Sequence, residues 1–344
     1  MAATGTMRRL VICADGTWNT PDKRSERTNV VRLTEAALPR DKAGVTQIVK
    51  YHKGVGTGDG WDRITGGAFG DGLSENIQDL YLFLIHNYQP GDHVFLFGFS
   101  RGAYTARSLA GLIRNSGVLK PEHTTRAKDA YTLYRDRSPG AHPKSEKAVK
   151  FRQQYAWPEF NIRCIGVWDT VGALGIPLSA FRFWNKAQYE FHDTDLSSHV
   201  DFAFHALAID ERRKPFLPTL WKKQATSPPS QVLEQAWFPG VHSDVGGGYP
   251  QTGLSDGAFA WMMNRAGKAG LAVDPTRVKA GNPDGRMHDS MTAMYRLLGP
   301  KERTPGSVLP QGFESLHVST TTRKNYNPRQ LLGFKKQTPP PAIS

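Results

Sequence analysis

The chain has 344 residues, 39% hydrophobic and 22% charged, enough apolar side chain to bury a full core and too much for a disordered protein. No window approaches the roughly 20 apolar residues of a membrane span. The start, residues 1–10, lacks the apolar core of a secretory signal, and two cysteines support neither a disulfide scaffold nor a cysteine metal site. The formal charge of +13 favours contact with anionic surfaces, but no RNA-binding or zinc-finger signature accompanies it, so nucleic acid is not expected as a partner.

Arg9–Ala14 is a short apolar run that predicts a buried strand, and it ends in Asp15-Gly16-Thr17-Trp18-Asn19. A carboxylate, a glycine and a hydroxyl at a strand's carboxyl end stand where open α/β sheets bind ligands, which makes Asp15, Gly16 and Thr17 candidate substrate-binding residues. A turn closed by the Asp or Thr side chain accounts for the same residues. Residues 45–52 read as a second strand. The glycine-rich stretch from Gly54 to Gly72 lacks the Gly-Lys-Ser/Thr ending of a nucleotide P-loop and is expected to be a long loop or flap.

A strong helix is expected from Ser74, because Ile77, Leu80, Tyr81, Leu84, Ile85 and Tyr88 recur at the spacing of one buried face. Pro90-Gly91-Asp92 stops it. The apolar run His93–Phe99 then leads through Gly98-x-Ser100-x-Gly102 directly into an alanine-rich helical pattern over 101–114. Strand, sharp turn and helix around such a serine make a nucleophile elbow, with the hydroxyl exposed at the sheet edge and the glycines giving the turn room. The alternative is a strand-to-helix turn whose serine merely caps the helix.

Residues 119–158 are polar, charged and aromatic with little period, and read as a helical cap in which His123 and His142 are solvated. Ile162–Trp168 is the next apolar strand, and Asp169 follows it, where the acid of a hydrolase triad can sit. Residues 174–200 read as a lid, with Phe181, Phe183, Trp184, Tyr189 and Phe191 available as an acyl-binding wall or as ordinary packing. Residues 202–213 fit strand or helix, and helix is preferred, with His205 as a core histidine and Asp210 as an ion partner at the helix end. Val232–Phe238 is the last strong strand, and it delivers His242 on a glycine-bounded loop. The chain order serine, acid, histidine is that of α/β hydrolases and holds for Ser100, Asp169 and His242. Asp244 and Asp210 are the alternative acids. Asp244 stands too near His242 in sequence to orient its ring easily.

Four stretches carry a resemblance: Asp15-Gly16-Thr17-Trp18-Asn19, Gly98-Phe99-Ser100-Arg101-Gly102-Ala103, Trp168-Asp169-Thr170-Val171-Gly172-Ala173, and His242-Ser243-Asp244-Val245-Gly246-Gly247-Gly248-Tyr249. Together, from about residue 8 to about 328, the chain resembles the bacterial and fungal α/β-hydrolase family that includes type VI secretion phospholipase effectors of the first lipase-effector class. The resemblance implies an α/β-hydrolase-like fold, a mostly parallel central sheet flanked by helices; the chain reads as one domain over 1–334 with the cap-like insertions near 119–158 and 174–200, and residues 335–344 as a disordered tail. It also implies a Ser-His-Asp ester hydrolase, with Ser100 as nucleophile, His242 as base and Asp169 as acid. The oxyanion donors would be the Arg101 N–H and the loop at Gly16 and Thr17, and the Arg101 side chain would reach a substrate phosphate or else a loop carboxylate.

No cofactor or metal is expected. The expected partners are a lipid or small-molecule ester and, through the basic residues, a membrane surface. Synthesis is expected in the cytoplasm, with export by a specialised secretion system open. The chain leaves little room for a separate membrane-anchoring domain, which keeps a smaller esterase open beside the phospholipase. A metal-dependent phosphoesterase using Asp15, Asp169 and Asp244, or a silent binding protein of hydrolase fold, are the readings from other classes.

Overall fold

The computed structural model of the protein describes residues 7–16, 26–54, 66–171, 195–297 and 299–331, with the side chains of 66–71 and 294 excepted. Its strands in chain order are β1 (Arg9–Ala14), β2 (Gln47–His52), β3 (His93–Phe99), β4 (Ile162–Trp168), β5 (Asp195–Leu196), β6 (Val200–Ala208), β7 (Lys222–Lys223), β8 (Val232–Phe238) and β9 (Glu314–Leu316). Seven of them form one sheet in the order β2-β1-β3-β4-β6-β8-β9, while β5 and β7 pair separately. Every pairing in the large sheet is parallel.

A parallel sheet is buried on both faces, so its strands alternate between two cores rather than between core and water. On β1, Leu10, Ile12 and Ala14 point to one core and Val11 and Cys13 to the other. On β3, Val94 and Leu96 oppose Phe95, Phe97 and Phe99 in the same way. The first face is covered by α2 (Gly66–Asn87) and α3 (Arg101–Ser116), with α4 (Ala127–Arg135) and α5 (Glu146–Tyr155) outside them. The second is covered by α1 (Asn29–Ala36) and α7 (Gly253–Lys268), with the short α6 (His242–Gly246) between β8 and α7. The result is a mostly parallel α/β architecture of the hydrolase-like kind. Both cysteines are buried and free. Among the described residues no helix is long and apolar enough to cross a membrane.

Two expectations about elements fail. Residues 202–213 are not a helix: 200–208 is the interior strand β6, between β4 and β8, and Asp210 and Glu211 lie in the loop after it. Ala203, Ala206 and Ala208 read as helix formers, yet here they keep a doubly covered strand thin enough for helices to pack on both sides. The helix expected from Ser74 begins at Gly66, so the end of the presumed glycine loop is helical. Each glycine costs a helix only about 1 kcal/mol, which the packing of Ile77, Leu80, Tyr81, Leu84 and Ile85 outweighs. The sheet also extends beyond β8, because the three residues of β9 pair with it and are too few to be read as a strand.

Candidate active site

Because the strands are parallel, the residues that follow them share one edge. Ala14 lies opposite Gly98, Phe99 opposite Trp168, Trp168 opposite Ala206, and Ala208 opposite Phe238. The segments at Asp15, Ser100, Asp169, Ile209 and His242 therefore leave the sheet side by side. The strand order reverses between β1 and β3, and ligands of open α/β sheets bind at such a reversal, beyond the strand ends.

Ser100 has φ 57° and ψ −120°, rare for any residue but glycine, and its side chain makes no capping bond to α3. A Cβ on Gly102 would stand 2.0 Å from the carbonyl oxygen of Ala14, and one on Gly98 would stand 2.4 Å from that of Gly102. These two glycines let α3 start tight against β1 and β3, as the elbow requires. The helix-capping alternative does not describe this serine.

Asp169 is fully buried and also holds a positive φ, 39°. Its Oδ2 lies 2.5 Å from His242 Nδ1, and its Oδ1 accepts the Ala208 N–H at 2.9 Å. His242 opens α6 with its own N–H donated to Glu211 Oε2 at 3.2 Å. Its ring lies 4.6 Å from that of Phe99, the neighbour of Ser100, and 5.0 Å from that of Phe216, which meets it edge-on. Burial pushes the imidazole below its ordinary pKa, and the Asp169 hydrogen bond and charge restore only part of the loss. Burial alone would raise the Asp169 pKa. The Arg303 charge and the His242 bond outweigh it and hold the carboxyl well below its usual range.

The competing acids are engaged elsewhere. Asp244 Oδ1 meets His288 Nδ1 at 2.6 Å, and its Oδ2 accepts the His288 and Val241 N–H groups. Asp210 Oδ2 accepts the Gly240 N–H and the Tyr326 hydroxyl, each at 2.7 Å. Asp15 closes its turn by accepting from Gly16 N–H, Thr28 Oγ1 and Tyr51 Oη. The three aspartates of a metal-site reading thus face three different sets of partners. His205 is a buried core histidine, with Nε2 accepting from the Thr170 N–H and Nδ1 facing Gln235 Oε1; burial foremost brings its pKa to about 3. The largely buried Arg101 guanidinium is pushed down to about 9 by its burial.

Thr17, the glycine-rich residues 55–65 and the aromatics Phe181, Phe183, Trp184, Tyr189 and Phe191 lie outside the described residues.

Two residues of the site were missed. Arg303, buried, forks onto both oxygens of Asp169 at 2.5 and 2.9 Å. Glu211, also buried, accepts from the His242 N–H, from Ser290 Oγ and from Arg213. Arg303 is one of 44 basic residues, and Glu211 sits in a charged run that passes for surface. Neither carries a local signal. The basic cluster 212–214 is also less free than it looked, since Arg213 pairs with Glu211 and stacks 3.5 Å above the Phe216 ring, beside Tyr295 of α8 (Ala293–Leu297).

The family model of the T6SS phospholipase effector, Tle1-like, catalytic domain, matches residues 8–265. An uncharacterized protein of Saccharomyces cerevisiae, YEL023C, is 28% identical over 230 residues, 61% of this chain and 32% of that protein. A crystal structure of an uncharacterized protein from Pseudomonas aeruginosa aligns over 84% of this chain and 48% of its own at 16% identity, TM-score 0.48. The structure of the Tle1 effector bound to the VgrG spike from the type 6 secretion system aligns over 72% and 52% at 20% identity, TM-score 0.40. The chain thus spans about a third of the yeast relative and about half of each solved chain.

Proposed function

The chain belongs to the Tle1-like phospholipase effector family, catalytic domain, and from that premise we propose that it is a serine ester hydrolase acting on phospholipid-like carboxylic esters through Ser100, His242 and Asp169. The observation that carries the reading is the buried Asp169 carboxylate bonded to His242 Nδ1 at the sheet edge where the strained Ser100 turn stands. An aspartate on Nδ1 selects the tautomer with a free Nε2 lone pair, which is the form of imidazole that can take a serine proton.

In this scheme His242 Nε2 removes the Ser100 proton as Oγ attacks the ester carbonyl, and Asp169 stabilises the imidazolium. The N–H of Arg101, first in α3, donates to the oxyanion with a second donor from the turn at Gly16 and Thr17. Collapse of the tetrahedral adduct expels the alcohol, protonated by His242. Water then repeats the sequence on the acyl-enzyme. The Arg101 side chain, one residue after the nucleophile, would meet a phosphate on the departing alcohol. Export by a secretion system belongs to the same reading.

The test is labelling with a fluorophosphonate followed by peptide mapping. The label is expected on Ser100, and Ser100→Ala should abolish it and lower kcat by roughly 10⁶. Modification of another residue, or an Ala variant with most of its esterase activity, overturns the assignment.

A further inference from the structure

The scheme above leaves one buried ion in contact with the proposed acid without a task. The Arg303 guanidinium straddles the Asp169 carboxylate, Nη1 2.5 Å from Oδ1 and Nη2 2.9 Å from Oδ2, with the two side chains 1% and 0% exposed. The same nitrogens donate to main chain, Nη1 to the Ala208 carbonyl at 2.7 Å and Nη2 to the Phe216 carbonyl at 2.6 Å. Those carbonyls tie the fork to the end of β6 and to the segment whose Phe216 ring lies against His242. Burying two charges is costly, and a buried pair is often replaceable by apolar side chains without loss of stability. Stability therefore gives little reason for this pair to stand on the triad acid.

We infer that Arg303 is a positioning residue of the hydrolase: it locks the Asp169 carboxylate in the orientation that His242 Nδ1 requires, and it balances the carboxylate charge so that His242 stays a neutral base in mildly acidic medium. The inference rests on the triad reading. An aspartate acting alone on a buried imidazole stabilises the imidazolium strongly; shared with a guanidinium, its charge acts on the ring much less. The other groups facing this dyad do not replace that balance. Glu211 and Arg213 pair with each other beneath the His242 main chain, and His205, behind Asp169, is a neutral core imidazole. Arg303 also lies beyond the matched residues 8–265, so this device comes from the later part of the chain.

The experiment compares full-length protein with Arg303→Gln on a soluble short-chain ester, measuring kcat and KM against pH. The variant should lose about 10²-fold in kcat with KM little changed, as expected for a misplaced acid. The acid limb of its kcat/KM profile should rise by about one pH unit, because the full Asp169 charge now acts on His242. A merely structural arginine would lower Tm and leave that limb where it was, and an unmoved limb overturns the inference. Should Arg303→Gln fail to fold, the double variant Asp169→Asn with Arg303→Gln removes both charges and leaves no unpaired buried ion. Its kcat should match that of Asp169→Asn alone within about threefold, because Arg303 acts only through Asp169. A further tenfold loss overturns the proposal. If Asp169→Asn by itself keeps its kcat, the triad reading fails first and this inference with it.

Discussion

Of the four non-glycine residues with positive φ among those described, two are Ser100 and Asp169. Such conformations cost on the order of 1–3 kcal/mol each and persist only where the surroundings over-determine them. Here the Ser100 N–H donates to the Trp168 carbonyl at 3.1 Å, the Asp169 N–H donates to that of Ala206 at 2.7 Å, and the Asp169 carboxylate takes bonds from Ala208, His242 and Arg303. The two strained residues stand side by side, each just past the end of its strand, Ser100 after β3 and Asp169 after β4. In the proposed mechanism His242 must be neutral to act as base, and its folded pKa is lowered, chiefly by burial. Activity should therefore persist as pH falls through about 6.5, the ordinary histidine value, and be lost only at lower pH. The acid limb of kcat/KM on a soluble ester checks this. A midpoint at or above the ordinary value contradicts it.

At the scale of elements, the elbow was legible because it is local: an apolar run, a serine between two glycines and an alanine-rich helix follow one another without a gap. Its energetics are those of close approach, since Gly102 leaves no room for a methyl group between α3 and β1. Gly102→Ala should push the start of α3 away from β1, cost about 1–3 kcal/mol in stability and, by displacing Ser100, lower kcat about 10²-fold. Gly267→Ala is the control, because that glycine lies exposed in α7 with nothing within 4 Å of a new Cβ. It should raise stability by about 0.4–1 kcal/mol and leave kcat alone. Thermal unfolding and ester hydrolysis on both variants decide the matter. Element β6 was not legible. A strand covered on both faces has no polar alternation, and its alanines satisfy helix and strand alike until their neighbours are known.

For the whole molecule the excess of cations is the property that reaches furthest. Exposed Lys214, Arg296 and Lys301 lie in the segments that flank the site, near the exposed Leu217 and Leu297. Each basic residue near an anionic bilayer contributes at most about 1 kcal/mol, and salt weakens it. Vesicle hydrolysis should thus be faster on anionic than on zwitterionic lipid and should fall as salt is raised, while a short soluble ester shows little of either effect. Intact vesicles beside ordinary turnover of soluble esters would make the protein a small-molecule esterase. The sequence by itself determined the strands β1, β3, β4 and β8, the serine turn and the two glycines beneath it, because each depends on neighbours a few residues apart. Only the tertiary structure decided which aspartate faces His242, and that Arg303 and Glu211 stand behind the pair. Asp169 is 73 residues from His242 and 134 from Arg303. Contacts over such separations depend on which strands lie side by side, and a charge in an irregular loop leaves no periodic trace of the partner it will meet.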